Sequence, residues 1–140
     1  MQRRFFLLAP LAGRVLAADP ASEIFDLFTK VATSLSAAEP APVLQVLDPA
    51  MPGYQTLVQS ITALTAQSDI ICSIDILVNE GDNDRRKVEL DWFLQLTSPG
   101  APLIRRRERV KGRLERRGKK KKWIIVQLEP VSFFAPVRVK

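Results

Sequence analysis

Few side chains in this chain could do acid–base or nucleophilic chemistry. The sequence contains no histidine, a single cysteine at Cys72 and a single tyrosine at Tyr54. The lack of histidine removes the usual general base and the Ser–His and Cys–His nucleophile pairs. It also leaves the common zinc constellations without ligands, and one cysteine cannot form an internal disulfide. The sequence therefore predicts no metal and no cofactor, and any catalysis would fall to carboxylates, lysines or Tyr54.

Glu108 is the weak catalytic candidate, with Arg106 beside it. The even-numbered residues of the segment 103–115 include Val110 and Leu114, so this set is predicted to face the core and to carry Arg106 and Glu108 with it. Such a pair at the mouth of a pocket would orient a polar ligand. The alternative, which the sequence favours, is that both groups are solvated, because charged side chains are seldom fully buried.

Two aromatic residues complete the predicted pocket lining. Tyr54 could place its hydroxyl in the pocket, although a tyrosine that opens an amphipathic helix more often packs in the core with a hydrated tip. Trp92 is predicted to be a core residue. Cys72 lies in an apolar strand without a nearby basic residue or helix start, so no reactive role is predicted for it.

The positive charge is concentrated in residues 105–122, which hold twelve basic and two acidic side chains, whereas the other 122 residues sum to −4. Such a cluster could bind phosphates or an anionic membrane surface. We predict instead that outward arginines face Glu89 and Asp91 across the sheet and that the lysines at the turn are solvated. No aromatic residues interleave to stack bases, which disfavours nucleic acid. The candidate anion-binding residues are Arg105, Arg107, Arg109, Lys111, Arg113, Lys119, Lys120, Lys121 and Lys122.

The elements that must position these residues are helices followed by strands. Apolar residues recur at helical spacing from Ile24 to Leu35 and from Tyr54 to Leu64, and a short helix is predicted near 43–47. The segments 69–78, 86–97, 103–115 and 122–134 read as four strands separated by short turns. Helices first and an antiparallel meander after predict an α+β fold with the helices on one sheet face.

Alternation predicts which side chains face the helices. Apolar residues occupy every second position from Val88 to Leu96, which puts Glu89 and Asp91 on the opposite face. A bulge near Gly112 could shift the register of the third strand. The matching helix-facing sets are predicted to be Ile70, Cys72, Ile74, Ile76 and Val78 on the first strand and Ile124, Val126 and Leu128 on the last.

The order of elements resembles the nuclear transport factor 2-like superfamily, whose fold is also called cystatin-like. The resemblance covers roughly residues 19–136 and is one of element order and hydrophobic pattern, including a tryptophan that opens the last strand. Many members have an extra strand pair between the second and third helices, for which residues 50–53 leave little room. The segments that carry the resemblance are Tyr54-Gln55-Thr56-Leu57, Val88-Glu89-Leu90-Asp91-Trp92-Phe93-Leu94 and Lys122-Trp123-Ile124-Ile125-Val126-Gln127-Leu128.

The resemblance implies three helices on a curved, cone-shaped four-stranded sheet. It implies binding of a small apolar or amphipathic ligand in the cone, or of a protein partner on the sheet, and a homodimer through the outer sheet face. The members include ketosteroid isomerases and dehydratases, so a lyase or isomerase that uses Glu108 is an alternative. A third alternative is an anionic-surface or nucleic-acid binder that acts through residues 105–122. Since one fold hosts many functions, these implications are analogies.

The first seventeen residues have the pattern of an export signal. A basic start with Arg3 and Arg4 precedes a short apolar stretch, and Val15-Leu16-Ala17 ends in small residues as cleavage sites do. The two arginines also fit the twin-arginine pattern. We expect an exported protein with a single domain over residues 18–140; the alternative is a cytoplasmic protein whose N-terminal arm is retained.

Overall fold

The computed structural model describes residues 19–137 of the chain. The predicted export signal, residues 1–17, lies outside the described residues, and export stays a prediction. Among the described residues, no helix is long and apolar enough to cross a membrane.

Three helices precede the sheet. Helix α1 spans Pro20–Ser36, α2 spans Ala41–Leu44 and α3 spans Tyr54–Gln67. The side chain of Asp19 accepts a hydrogen bond from the backbone N–H of Ala21 (3.3 Å) and caps α1, with proline in the first turn. Gly53 supplies a left-handed φ of 75° immediately before α3, a conformation that costs glycine little.

Four strands form one antiparallel sheet in the order β1-β2-β3-β4. Strand β1 spans Asp69–Gly81, β2 spans Arg85–Thr97, β3 spans Ile104–Arg117 and β4 spans Lys122–Glu129. The predicted α+β class and the four-stranded antiparallel meander are therefore confirmed. Strand β4 pairs with β3 only along residues 111–117, so the first half of β3 is an edge of the sheet.

The last strand is shorter than the predicted segment 122–134. Strand β4 ends at Glu129, and Pro130, which has no N–H to donate to a ladder, is followed by a 3-10 helix over Val131–Phe134. Residues 130–137, hereafter the C-terminal strap, turn back over the helix-facing side of the sheet. Phe133, Phe134 and Val137 of the strap are buried there.

Two β-bulges overturn part of the predicted alternation. On β1 the register shifts between Ile76 and Val78, so that Val78 pairs with Glu89 on the outer face rather than facing the helices. On β4 Trp123 and Ile125 are buried and Ile124 and Val126 are not, because the register shifts at the pairing of Leu114 with Ile125. One extra residue inverts which side chains face inward, and only Leu128 of the predicted set on β4 is buried.

The core lies between the helices and one face of the sheet. Its residues come from the helical stripes, from alternate positions of the strands and from the strap, and Trp92 is its largest fully buried side chain. The predicted face of β2 is confirmed: every second residue from Val88 to Leu96 is buried. The opposite face, hereafter the outer face, carries Glu89, Asp91 and the odd-numbered residues of β3.

Candidate anion-binding surface

Trp92 is enclosed by aromatic side chains rather than lining an open pocket. Phe28 of α1 packs edge-on with a ring-centroid distance of 6.3 Å, and Phe133 and Phe134 of the C-terminal strap do so at 6.4 and 4.9 Å. Trp92 is 1% exposed. The core position predicted for Trp92 is therefore confirmed, and the helix-facing side of the sheet is filled around it.

Arg106 and Glu108 lie on the predicted face of β3 but do not form a site together. They pair in register with Leu94 and Trp92, yet Glu108 is exposed and Arg106 is half-buried. Within residues 19–137 no hydrogen bond or ion pair joins Glu108 to Arg106 or to the half-buried Tyr54. The cause is the short β4, which leaves this half of β3 at the sheet edge with Glu108 in solvent.

The predicted cross-strand pairing of the outer arginines with Glu89 and Asp91 is confirmed for Arg107 and Arg109 but not for Arg105. Arg107 donates two hydrogen bonds to the carboxylate of Asp91 (3.0 and 2.6 Å), and Arg109 donates one to Glu89 (3.1 Å). Arg105 donates to the Gln95 side chain (3.2 Å). The hydrogen bond from Arg107 holds the pKa of Asp91 below its usual range. Arg107 and Arg109 are diagonal neighbours of their acceptors, whereas Arg105 lies directly opposite Gln95, and these contacts support the sheet.

A second group of outer-face cations has no ion-pair partner in the described part of the chain. Lys87 and Arg113 lie directly opposite each other on β2 and β3, and Lys111 is two residues before Arg113. Among residues 19–137 none of the three forms an ion pair within 4.0 Å. Like charges directly opposite each other repel. Lys87, Lys111 and Arg113, hereafter the cation cluster, line a cavity of about 240 Å³ with Gln127 and Glu129.

Lys87 was absent from the predicted anion-binding residues. Its position on the outer face follows from the alternation of β2, but its place opposite Arg113 depends on the register between β2 and β3. That register is set by the loop that connects the two strands, and composition alone does not give it. A search for cations that face each other across the meander could have found the pair.

The lysines of the β3–β4 turn border a separate groove of about 350 Å³, hereafter the hairpin groove. Lys120, Lys121 and Lys122 line it together with Lys30 of α1, and Lys119 is exposed at the turn. The wall of the hairpin groove is completed by Glu23, Asp26, Leu27, Arg116 and Trp123.

Arg116 in this wall is held by partners of its own. It lies 4.5 Å from the ring centroid of Trp123 and pairs with Glu23 (2.5 Å). Trp123 Nε1 donates to the same carboxylate (3.0 Å), and Arg116 also donates to the carbonyl of Lys121 (3.1 Å). This network ties the β3–β4 hairpin to α1, so the charge of Arg116 serves the fold.

Cys72 and the acidic residues offer no chemical centre among the described residues. Burial raises the pKa of Cys72 to about 12, which keeps the thiol protonated and unreactive. No group of three or more His, Cys, Asp or Glu side chains between residues 19 and 137 could hold a metal ion.

Comparison with solved structures assigns the chain a known fold. A nuclear transport factor 2-like superfamily protein from Salmonella enterica serovar Typhimurium superposes with a TM-score of 0.64 at 12% identity, over 85% of this chain and 92% of that chain. A dehydratase candidate of the same family from Streptomyces avermitilis gives 0.62 at 9% identity, over 78% and 93%. A protein with a cystatin-like fold from Caulobacter vibrioides gives 0.56 at 13% identity, over 78% and 86%.

The predicted resemblance is thereby confirmed at the level of the fold. No protein-family model matches the sequence, and no curated protein matches it. Identities this low establish architecture and not activity, since this kind of fold hosts unrelated functions.

Proposed function

We propose that this chain, which has the nuclear transport factor 2-like fold, is a binding domain that recognises an acidic protein partner on the outer face of its sheet. The observation that carries the proposal is the position of Lys87 opposite Arg113, neither of which forms an ion pair with another described residue. A carboxylate placed between them would relieve their repulsion and accept charge-assisted hydrogen bonds from both.

The surroundings of the cation cluster favour a protein over a lipid surface or a nucleic acid. Glu80 pairs in register with Lys87, and Glu129 pairs with Lys111. These carboxylates would repel a uniform row of phosphates, whereas a protein can place acidic groups opposite the cations and other groups opposite the acids. Such charge complementarity gives specificity and a fast association rate.

Apolar side chains on the outer face supply anchors for such a partner. Ile71 and Leu77 of β1 are 58% and 47% exposed, and Phe93 and Ile124 are half-buried on β2 and β4. Protein interfaces combine a few apolar or aromatic anchors with a polar rim. A second copy of this chain is one partner of this description, and the predicted homodimer stays a prediction.

The other predicted functions have less support. The exposure of Glu108 leaves a lyase or isomerase reaction without an enclosed site, and the dehydratase label of the Streptomyces neighbour comes with a similarity of 9% identity. A small apolar ligand on the helix-facing side would have to displace side chains that now surround Trp92.

Fluorescence anisotropy with a labelled glutamate-rich peptide tests the proposal. The full chain should bind this probe, bind it more weakly as salt rises, and leave a glutamine-rich peptide of equal length unbound. Equal binding of both peptides would contradict an electrostatic site. Stronger adsorption to phosphatidylserine vesicles than to the peptide would overturn the choice of a protein partner in favour of a membrane surface.

Lys87→Gln combined with Arg113→Gln should weaken peptide binding about tenfold, the effect of losing two exposed charge contacts of roughly 0.7 kcal/mol each. Both side chains lie on the outer face, so the thermal midpoint of unfolding should change little. An unchanged peptide affinity in a folded variant would place the partner site elsewhere.

A further inference from the structure

The hairpin groove gathers lysines from two elements that are far apart in sequence. Lys30 comes from α1, and Lys120, Lys121 and Lys122 come from the β3–β4 turn. All four are exposed, and among residues 19–137 none of them forms an ion pair within 4.0 Å. Because like charges gathered around one groove repel each other, an anion bound between α1 and the turn would be attracted to all four.

The turn that carries three of these lysines is anchored by hydrogen bonds. Lys121 has a left-handed φ of 52°, which a lysine rarely adopts, and its N–H donates to the carbonyl of Gly118 (3.2 Å). Its own carbonyl accepts from Arg116 Nη1 (3.1 Å), and Arg116 Nε donates to the carbonyl of Asn83 (2.6 Å). Since Arg116 also pairs with Glu23 of α1, the turn is tied to that helix and to the β1–β2 turn. Cations on an anchored turn lose less conformational freedom when they bind a ligand.

The size and charge of the hairpin groove fit a compact anion with several charges. Its volume of about 350 Å³ is that of a small-molecule site. An ammonium group binds phosphate oxygens as a point charge, so several lysines match linked phosphate groups better than they match one carboxylate. Of the two carboxylates that line the groove, Glu23 is paired with Arg116, whereas Asp26 forms no ion pair with another described residue. Asp26 would therefore oppose the binding of an anion.

We propose that the hairpin groove is a binding site for a compact anion made of linked phosphate groups. Lys30 contacts the ligand from α1, and the lysines of the β3–β4 turn contact it from the hairpin. Arg116 is a positioning residue, which holds the turn and does not bind the ligand. The hairpin groove shares no lining residue with the cation cluster, so this site is separate from the proposed protein interface.

Calorimetry with tripolyphosphate tests the proposal, with inorganic phosphate at the same ionic strength as the comparison. The full chain should bind tripolyphosphate about tenfold more tightly, because only the longer anion reaches the lysines of both elements. Absence of binding, or equal affinity for the two anions, would overturn the proposal. Displacement of the glutamate-rich peptide by tripolyphosphate at constant ionic strength would also overturn it, since the two sites would then be one.

Three single variants locate the site. Lys30→Gln and Lys121→Asn should each weaken tripolyphosphate binding about threefold, the effect of losing one exposed charge contact. Lys119→Asn removes the same charge from an exposed position that does not line the groove, and it should retain the affinity. Asparagine tolerates the left-handed conformation, so Lys121→Asn should not lower the thermal midpoint of unfolding. Equal losses in Lys119→Asn and Lys121→Asn would contradict the site, because binding would then follow net charge.

Asp26→Asn should have the opposite effect. Removal of this carboxylate from the groove should strengthen tripolyphosphate binding about threefold, and an unchanged or weaker affinity would contradict a ligand in the hairpin groove.

Phosphatidylcholine vesicles that carry a bisphosphorylated inositol lipid distinguish a lipid headgroup from a soluble anion. Adsorption that tripolyphosphate competes away would assign the site to a headgroup, and a lack of adsorption beside tripolyphosphate binding would assign it to a soluble anion; both results support the site. Adsorption that tripolyphosphate does not compete away would overturn it.

Discussion

The two faces of the sheet are made by the same strands and differ in what completes them. On the helix-facing side, Trp92 is surrounded by Phe28, Phe133 and Phe134, all supplied by the chain itself. On the outer face, Arg107 and Arg109 form ion pairs with carboxylates, whereas Lys87 and Arg113 face each other and form no ion pair within residues 19–137. The first face is closed by its own residues, and the second is left incomplete at one place.

In our proposal, this difference separates charge that supports the fold from charge that binds a partner. The arginines at one end of β3 and the cation cluster at the other end are equally basic in sequence, but their environments in the sheet are not alike. A count of basic residues gives net charge, and pairing across the sheet decides where that charge can act.

The largest expected effect lies on the helix-facing side. Trp92→Ala should lower the free energy of unfolding by about 3–5 kcal/mol, because it removes a fully buried aromatic side chain and leaves a cavity. The matched control is Phe93→Ala, the next residue on β2, which is half-buried on the outer face and should cost roughly 1 kcal/mol. Urea unfolding measures both variants. Equal losses would contradict the assignment of the two faces.

A smaller loss of stability is expected at the network that ties the β3–β4 hairpin to α1. Glu23→Ala removes the acceptor shared by Arg116 and Trp123 and should lower the free energy of unfolding by about 1–3 kcal/mol. Asp26→Ala, on the same helix and with the same change of charge, is exposed and should change it little. If the two variants unfold at the same urea concentration, the network contributes nothing to stability.

The smallest expected effect is a pH dependence from the paired arginine row. The pKa of Asp91 in the folded chain lies below its usual value of 3.8, chiefly because of the hydrogen bond from Arg107. The unfolded chain therefore binds this proton more readily, so the stabilisation is fully present above pH 3.8 and is lost as the pH falls through the lower folded pKa. Arg107→Gln should make the free energy of unfolding depend less on pH below 3.8, which urea unfolding at a series of pH values measures. An unchanged dependence would show that Arg107 and Asp91 do not pair in solution.

Much of the fold was predictable because the spacing of apolar residues indicates the type of each element and the sequence gives the order of the elements. The alternation from Val88 to Leu96 gave the correct face of β2, and the helical spacing gave α1 and α3. The inner face of β4 was predicted wrongly because Ile124, Ile125 and Val126 are all apolar, so alternation could not detect the bulge.

The candidate site was less predictable because it depends on pairing between strands. The segment 105–122 was correctly recognised as basic, and the partners of Arg107 and Arg109 followed from the antiparallel order. Register and side-chain geometry, which a single sequence does not specify, determine that Lys87 and Arg113 form no ion pair in the part of the chain that the structure describes. The C-terminal strap was missed since Phe133 and Phe134 extend the apolar run of β4 beyond Pro130.

The most direct test compares two double variants that remove the same charge from the outer face. Lys87→Gln with Arg113→Gln removes two cations that form no ion pair within residues 19–137, and Arg107→Gln with Arg109→Gln removes two that do. Measured at one ionic strength with the glutamate-rich peptide, the first variant should lose about tenfold in affinity and the second much less, because only the unpaired cations are available to a partner. Equal losses would contradict the account, since binding would then follow net charge rather than the cation cluster.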